Sequence, residues 1–201
     1  LVLLFSLYTS IYRYEDRIPM NIDLISDEAK NINTKRNFCH VSTGTTAPAC
    51  KLGGENIAAI LVGDSHADSV RSALFNAVPE ESLGIISYSY SSCPTILGAK
   101  RRGRKDCYDY NNWLIEELEK YGETPLIVVN TNYNLERKDK LRPIYFKDYD
   151  ESDLVGIFQK GMVDTLCQLA EKRPVYVVRP IPIMNKSVPE AMARALLFKS
   201  N

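Results

Sequence analysis

The residues best suited to do chemistry in this chain are Gly63-Asp64-Ser65-His66. They follow a continuous apolar run, Ile57-Ala58-Ala59-Ile60-Leu61-Val62, and precede a segment of helical spacing. Glycine permits a sharp turn. A serine at a helix N-terminus sits where the dipole and free backbone N–H groups favour a developing oxyanion. The chemistry this suits is nucleophilic acyl transfer through the Ser65 hydroxyl. The plainer reading is that Asp64 or Ser65 only caps the helix, since both are strong N-cap types. A serine nucleophile also needs a base, and the sequence holds only two histidines, His40 and His66. Neighbouring side chains at a helix start point about 100° apart, so His66 is a poor base for Ser65. His40 falls in a polar loop beside Cys39, where a surface role is expected.

The elements that must position Ser65 follow from hydrophobic patterning. Residues 57–62 read as a strand buried on both faces. Val70, Leu74 and Val78 recur at helical steps over 68–78. A second strand is predicted at 83–88, a helix over 110–121, a third strand at 125–129, a long helix over 152–172, a fourth strand at 174–178 and a helix over 188–199. The long helix carries Leu154, Val155, Phe158, Met162, Leu166 and Leu169 as its apolar stripe. Strands alternating with helices predict an α/β fold, a doubly wound, mostly parallel sheet with helices on both faces. Ligands in such sheets sit at the carboxyl ends of the strands. Those ends carry Ser65, the 89–93 segment, Asn130 to Asn132, and Arg179 to Met184.

The 201 residues suit one domain with at most an appendage. Lys plus Arg number 25 and Asp plus Glu number 25, a balance that gives no electrostatic case for a nucleic-acid partner. The opening residues LVLLFSLYTSIY carry no charge and are too few to cross a bilayer, which takes about 20. They read as the outer end of a transmembrane helix, with Tyr8, Tyr12 and Tyr14 as interfacial aromatics. A buried element of a soluble domain and a cleaved leader are the competing readings. Of the five cysteines, Cys39 and Cys50 flank one loop, and Cys93 and Cys107 flank another that holds the basic run 100–105. Local disulfides are useful at such places and imply an oxidising compartment; five reduced thiols are the alternative. Cys167 lies in an apolar helical pattern and is expected to be a buried free thiol. With no Cys-x-x-Cys spacing and two histidines, no metal site and no cofactor are expected.

Ile60 to Ala67, with Gly63-Asp64-Ser65-His66-Ala67 at its heart, resembles the first block of the SGNH (GDSL-like) hydrolases. More narrowly it is similar to the SGNH domains fused to membrane acyltransferases of family three. Ser91-Ser92-Cys93-Pro94, the recurrence of Cys107 before a helix, the cysteine-closed loop ahead of the first block, and the segment 175–196 with Pro180, Pro182, Val188 and Pro189 fit the same pattern. The resemblance implies an SGNH/flavodoxin-like three-layer fold, with Ser65 as nucleophile. It implies an oxyanion hole from the Ser65 N–H, a donor near Ser91 or Ser92 (Ser92 preferred), and Asn132, with Asn130 as the alternative. It also requires an Asp-x-x-His block, which is absent from the sequence; no histidine follows His66. The domain is therefore read as C-terminally incomplete, and this piece alone as inactive.

The resulting expectation divides the chain into residues 1–14, the end of a transmembrane helix; 15–55, an extracytoplasmic linker and disulfide-clasped loop; and 56–201, the SGNH domain. The implied function is O-acylation, as O-acetylation, of a bacterial surface polysaccharide. An upstream membrane domain would deliver the acyl group and a glycan would accept it. The implied location is the inner (cytoplasmic) membrane, with this domain on the periplasmic or extracytoplasmic side. A secreted SGNH esterase and a catalytically inactive binding module are the alternatives.

Overall fold

The structure, a computed structural model, describes residues 24, 25, 27, 33, 35–101, 105–131, 144–146, 154–179 and 187–198. The chain divides into two compact units, Asn33–Ile181 and a second made of Leu1–Ile32 with Pro182–Asn201. Among the described residues, no helix is long and apolar enough to cross a membrane, and residues 1–14 lie outside them.

In the first unit, β3 (Asn56–Gly63) is the central strand, with β4 (Leu83–Tyr90) on one side and β6 (Leu126–Val129) on the other. β8 (Val175–Val178) lies beyond β6, and β1 (His40–Val41) lies beyond β4. All of these pairs are parallel. β3 is apolar without alternation because both its faces are covered. Leu61 packs with Ala67 and Val129 on the side of α2 (Ser65–Asn76). Ile60 and Val62 pack on the opposite side with residues of α3 (Asp106–Leu118), such as Tyr110 and Leu114, and with Leu169 of α4 (Leu154–Ala170). Each such buried aliphatic side chain contributes about 1.5–3 kcal/mol. The doubly wound α/β sheet expected from the sequence is thus present.

The segment read from the sequence as linker and clasp loop does more than connect. From Arg36 it forms the short helix α1 (Arg36–Cys39), then β1, then β2 (Cys50–Gly53). β2 lies antiparallel to β4 over Gly84–Ser87, and β1 lies parallel to it over Ser89–Tyr90. The outer edge of β4 is therefore covered by two short strands, and the Cys39–Cys50 disulfide joins the end of α1, just before β1, to the start of β2. Cys93 and Cys107 form a second disulfide. A separate two-stranded ribbon pairs β5 (Ala99–Arg101) with β7 (Ile144–Phe146); of the basic run, residues 102–104 lie outside the described residues.

One expectation is corrected. Cys167 is exposed rather than buried. Phe158, Met162 and Leu169 hold the covered face of α4, and Cys167 lies about 100° round the axis from Leu166, beside exposed Val163 and Asp164. The fourth strand is present as β8, and its Tyr176 is 59% and Val177 55% exposed. β8 is the last strand of the sheet, and among the described residues none pairs with its outer side. In the second unit, α5 (Val188–Phe198) presents exposed Val188, Met192 and Phe198.

Candidate active site

Strand register defines one row across the carboxyl end of the sheet. His40 pairs with Ser89, Ser89 with Gly63, Gly63 with Val129, and Val129 with Val178. The chain turns from β3 into α2 at the middle of this row. Gly63 has a φ of +150°, and a Cβ there would lie 1.9 Å from the Val129 carbonyl oxygen. Only glycine lets the turn run this close to β6.

Asp64, fully buried, is the N-cap of α2. One carboxylate oxygen accepts from the His66 N–H at 2.8 Å and the other from the Thr131 N–H at 2.9 Å. The side chain therefore caps the helix and also fastens the turn to the end of β6. Burial raises the Asp64 pKa, and the two backbone N–H donors oppose that shift. The capping role weighed in the sequence thus falls to Asp64.

Ser65 becomes the first helical residue, half-buried. Among the described residues its hydroxyl has no hydrogen-bond partner, and its N–H has no acceptor. His66 follows it, with Nδ1 buried and without a partner among the described residues.

The second strand end is built with equal care. Ser91 N–H donates to the Val41 carbonyl at 2.8 Å, and Cys93 N–H to the Tyr90 carbonyl at 3.2 Å. Between them Ser92 adopts φ +54°, the left-handed region, and is the only non-glycine residue with positive φ among those described. That conformation costs about 1–2 kcal/mol for a residue with a side chain. Here a serine holds the backbone conformation a glycine would adopt freely. The Ser92 N–H has no acceptor among the described residues.

Three side chains and a disulfide over-determine this turn. Asn111 of α3 donates to the Pro94 and Ile96 carbonyls at 3.0 Å each. Thr165 of α4 accepts from the Leu97 N–H at 2.9 Å. Asn130 accepts from the Thr95 N–H at 3.0 Å and turns its amide nitrogen to Met162 Sδ at 3.8 Å. Asn130, one of the two candidate oxyanion residues, is thus a buried latch between strand end, turn and helix. Asn132 lies outside the described residues.

Sequence reasoning misplaced His40. It is the first residue of β1, half-buried on the row that holds Gly63, with Nδ1 3.0 Å from the Ser89 hydroxyl. Burial lowers its pKa; Asp68 and Asp64 oppose that shift, while Arg36 and Arg71 reinforce it. Asp68 and Arg71 of α2 were also missed, although both are fully buried beneath the helix. Their three-residue spacing would mark a helix pair, and nothing in the sequence marks its burial. Among the described residues, no cluster of side chains could hold a metal ion.

Ser65 thus stands at the N-terminus of α2, at the carboxyl end of a doubly wound α/β sheet, the place where such sheets bind ligands. The sequence comparison agrees: the family described as "SGNH domain (fused to AT3 domains)" matches residues 38–201, and the chain belongs to it. No curated protein matches the sequence. Among solved structures, the periplasmic domain of a lipopolysaccharide acetyltransferase from Salmonella ser. Paratyphi A is similar at a TM-score of 0.49 and 11% identity. That match covers 83% of this chain and 66% of the other.

Proposed function

We propose that the protein transfers an acyl group, as acetyl, to a hydroxyl of a bacterial surface polysaccharide, with Ser65 as the nucleophile. The observation that carries this reading is the placement of Ser65. Its hydroxyl is unengaged at the start of α2, and its own N–H and that of Ser92 have no acceptor among the described residues. Membership in a family of domains fused to AT3 domains supports a membrane acyltransferase as the source of the acyl group. On this reading the SGNH domain works on the extracytoplasmic side of the inner membrane, and the two disulfides support an oxidising compartment.

In the first step, Ser65 Oγ attacks the donor's acyl carbonyl, its proton passes to a base, and the carbonyl oxygen gains negative charge against the N–H donors. The donor oxygen leaves with that proton, and an acyl-Ser65 ester remains. In the second step, a glycan hydroxyl attacks this ester and gives its proton to the base; Ser65 Oγ departs and takes it back. No Asp-x-x-His block occurs in the sequence, and neither His40 nor His66 is assigned as the base. Asn132 is retained as the third oxyanion donor, because Asn130 is committed to Thr95 and Met162.

The test uses the complete protein with its membrane portion, expressed in a strain that lacks O-acetylation of its surface glycan. NMR of the purified polysaccharide should show O-acetyl signals with the wild type and none with Ser65→Ala. Equal O-acetylation with both proteins would overturn the reading. No O-acetyl from either, with deacylation of a model ester that depends on Ser65, would favour a secreted-type esterase. Neither activity from the folded protein would favour a binding module.

A further inference from the structure

Beneath α2 lies a buried charge cluster that the acyl-transfer steps do not use. Asp68 and Arg71 are both fully buried. One Asp68 carboxylate oxygen accepts from Arg71 Nη1 at 2.6 Å, and the other accepts from Arg36 Nη1. Arg36 opens α1, the helix that ends at Cys39. This ion pair therefore ties the disulfide-clasped segment to the helix that begins with Ser65, one turn before Asp68.

The same segment places His40. The Ser89 hydroxyl lies 3.4 Å from the Cys39 carbonyl, where it can only donate. Its oxygen is then left to accept from His40 Nδ1 at 3.0 Å. That assignment puts the proton of neutral His40 on Nδ1 and leaves Nε2 as the atom that takes up a second one. The charged groups within electrostatic reach of His40 are Arg36 from α1, Asp64 from the turn, and Asp68 and Arg71 from α2, while its hydrogen-bond partner is the uncharged Ser89 from β4. With His40 neutral, two guanidinium groups face two carboxyl groups. Proton uptake adds a third cation, which repels Arg36 and competes with it for Asp68.

We propose that His40 is a positioning residue for Ser65: neutral, it leaves the Arg36–Asp68 tie intact and the nucleophile turn held, and protonated, it loosens that tie. This rests on the reading of Ser65 as the nucleophile. The proposal makes reactivity at Ser65 fall in acid for a reason separate from titration of the catalytic base.

The test measures the rate of covalent labelling of Ser65 by an organophosphonate in the complete protein, with wild type and His40→Gln compared between about pH 5 and pH 8. The base contributes its own acid limb to both proteins. The wild type is expected to lose at least about threefold more of its labelling rate between about pH 7 and pH 5 than His40→Gln does. Superimposable profiles would overturn the proposal, because a purely structural histidine shifts the rate equally at every pH. Backbone amide exchange of residues 65–68 keeps the two readings apart. At about pH 5 it should be faster in the wild type than in His40→Gln, and equal at about pH 8. Absence of any adduct at Ser65 at every pH in both proteins would remove the acyl-transfer reading. The exchange comparison would then decide the His40 proposal, and equal exchange at about pH 5 would overturn it.

Discussion

Replacing Asp68 by Asn should be one of the most damaging isosteric changes in the domain. The substitution keeps the shape of the side chain and removes its charge. It leaves Arg71, fully buried, without the carboxylate that its Nη1 meets at 2.6 Å. Arg71 Nε and Nη2 already lack partners among the described residues, so no other acceptor there is ready to replace Asp68. Removing one partner of a buried ion pair costs about 3–5 kcal/mol, because the remaining charge stays buried without compensation. The Arg36 side chain is 38% exposed, so after screening by solvent its share is at most about 1 kcal/mol. For a protein of this size, each kcal/mol lowers Tm by about 2–4 °C, so the loss should lie between about 6 and 20 °C. With a urea slope of about 2 kcal/mol/M, the midpoint should fall by roughly 1.5–2.5 M. The assay is urea denaturation at neutral pH, followed by circular dichroism with the disulfides intact. A second variant, Asp68→Leu with Arg71→Met, removes both charges and should recover most of the loss. The reasoning fails if Asp68→Asn is within about 1 kcal/mol of the wild type, or if the double variant is no more stable than the single one.

Other perturbations probe the turn itself. Gly63→Ala would set a Cβ 1.9 Å from the Val129 carbonyl and should cost more than about 4 kcal/mol, read as loss of the cooperative urea transition. Asp64→Ala removes a helix cap worth about 1 kcal/mol and strands the Thr131 N–H at about 1–3 kcal/mol. Release of a buried carboxylate offsets part of that, and a net loss of about 2 kcal/mol in the same melt is expected. Ser92→Gly relaxes a positive φ and keeps the main-chain donor. Stability should change by less than about 1 kcal/mol, and the rate of Ser65 labelling by an organophosphonate by less than about twofold. His40 gives a pH dependence with a definite sign. Its pKa in the folded chain lies below the ordinary 6.5, so the folded state binds fewer protons than the unfolded one. Its contribution to stability is present above pH 6.5 and is lost as pH falls through the folded value. Melts of His40→Gln should accordingly be flatter than wild type between about pH 7 and pH 5.

The parts of the fold that were legible in the sequence are those that hydrophobic periodicity specifies. Residues 57–62 announce a doubly covered strand, and Phe158, Met162 and Leu169 mark the covered face of α4. Gly63-Asp64-Ser65 announces the turn between strand and helix, although the helix begins at Ser65 rather than Asp68. The edge of β4 was not legible. β1 has two residues and β2 four, too short for a period, and their positions depend on pairing with β4 and on the Cys39–Cys50 bond. The burial of Asp68 and Arg71 was hidden for a related reason: the partner Arg36 lies 32 residues away. Cys167 was misread because an apolar pattern over a whole helix does not say which residues at its margin face the core. The left-handed Ser92 had one signal, the Ser-Ser-Cys-Pro turn, which marks a tight loop without stating the sign of φ.

The central claim is that Ser65 is the acyl-accepting nucleophile. The most direct measurement is peptide mass spectrometry of the complete, folded protein after treatment with an organophosphonate at about pH 8, where His40 is neutral. The account predicts a phosphonyl adduct on the peptide that contains Gly63-Asp64-Ser65-His66, and no adduct on that peptide in Ser65→Ala. An adduct that persists in Ser65→Ala, or a wild-type protein that melts cooperatively and stays unmodified at Ser65, would contradict it.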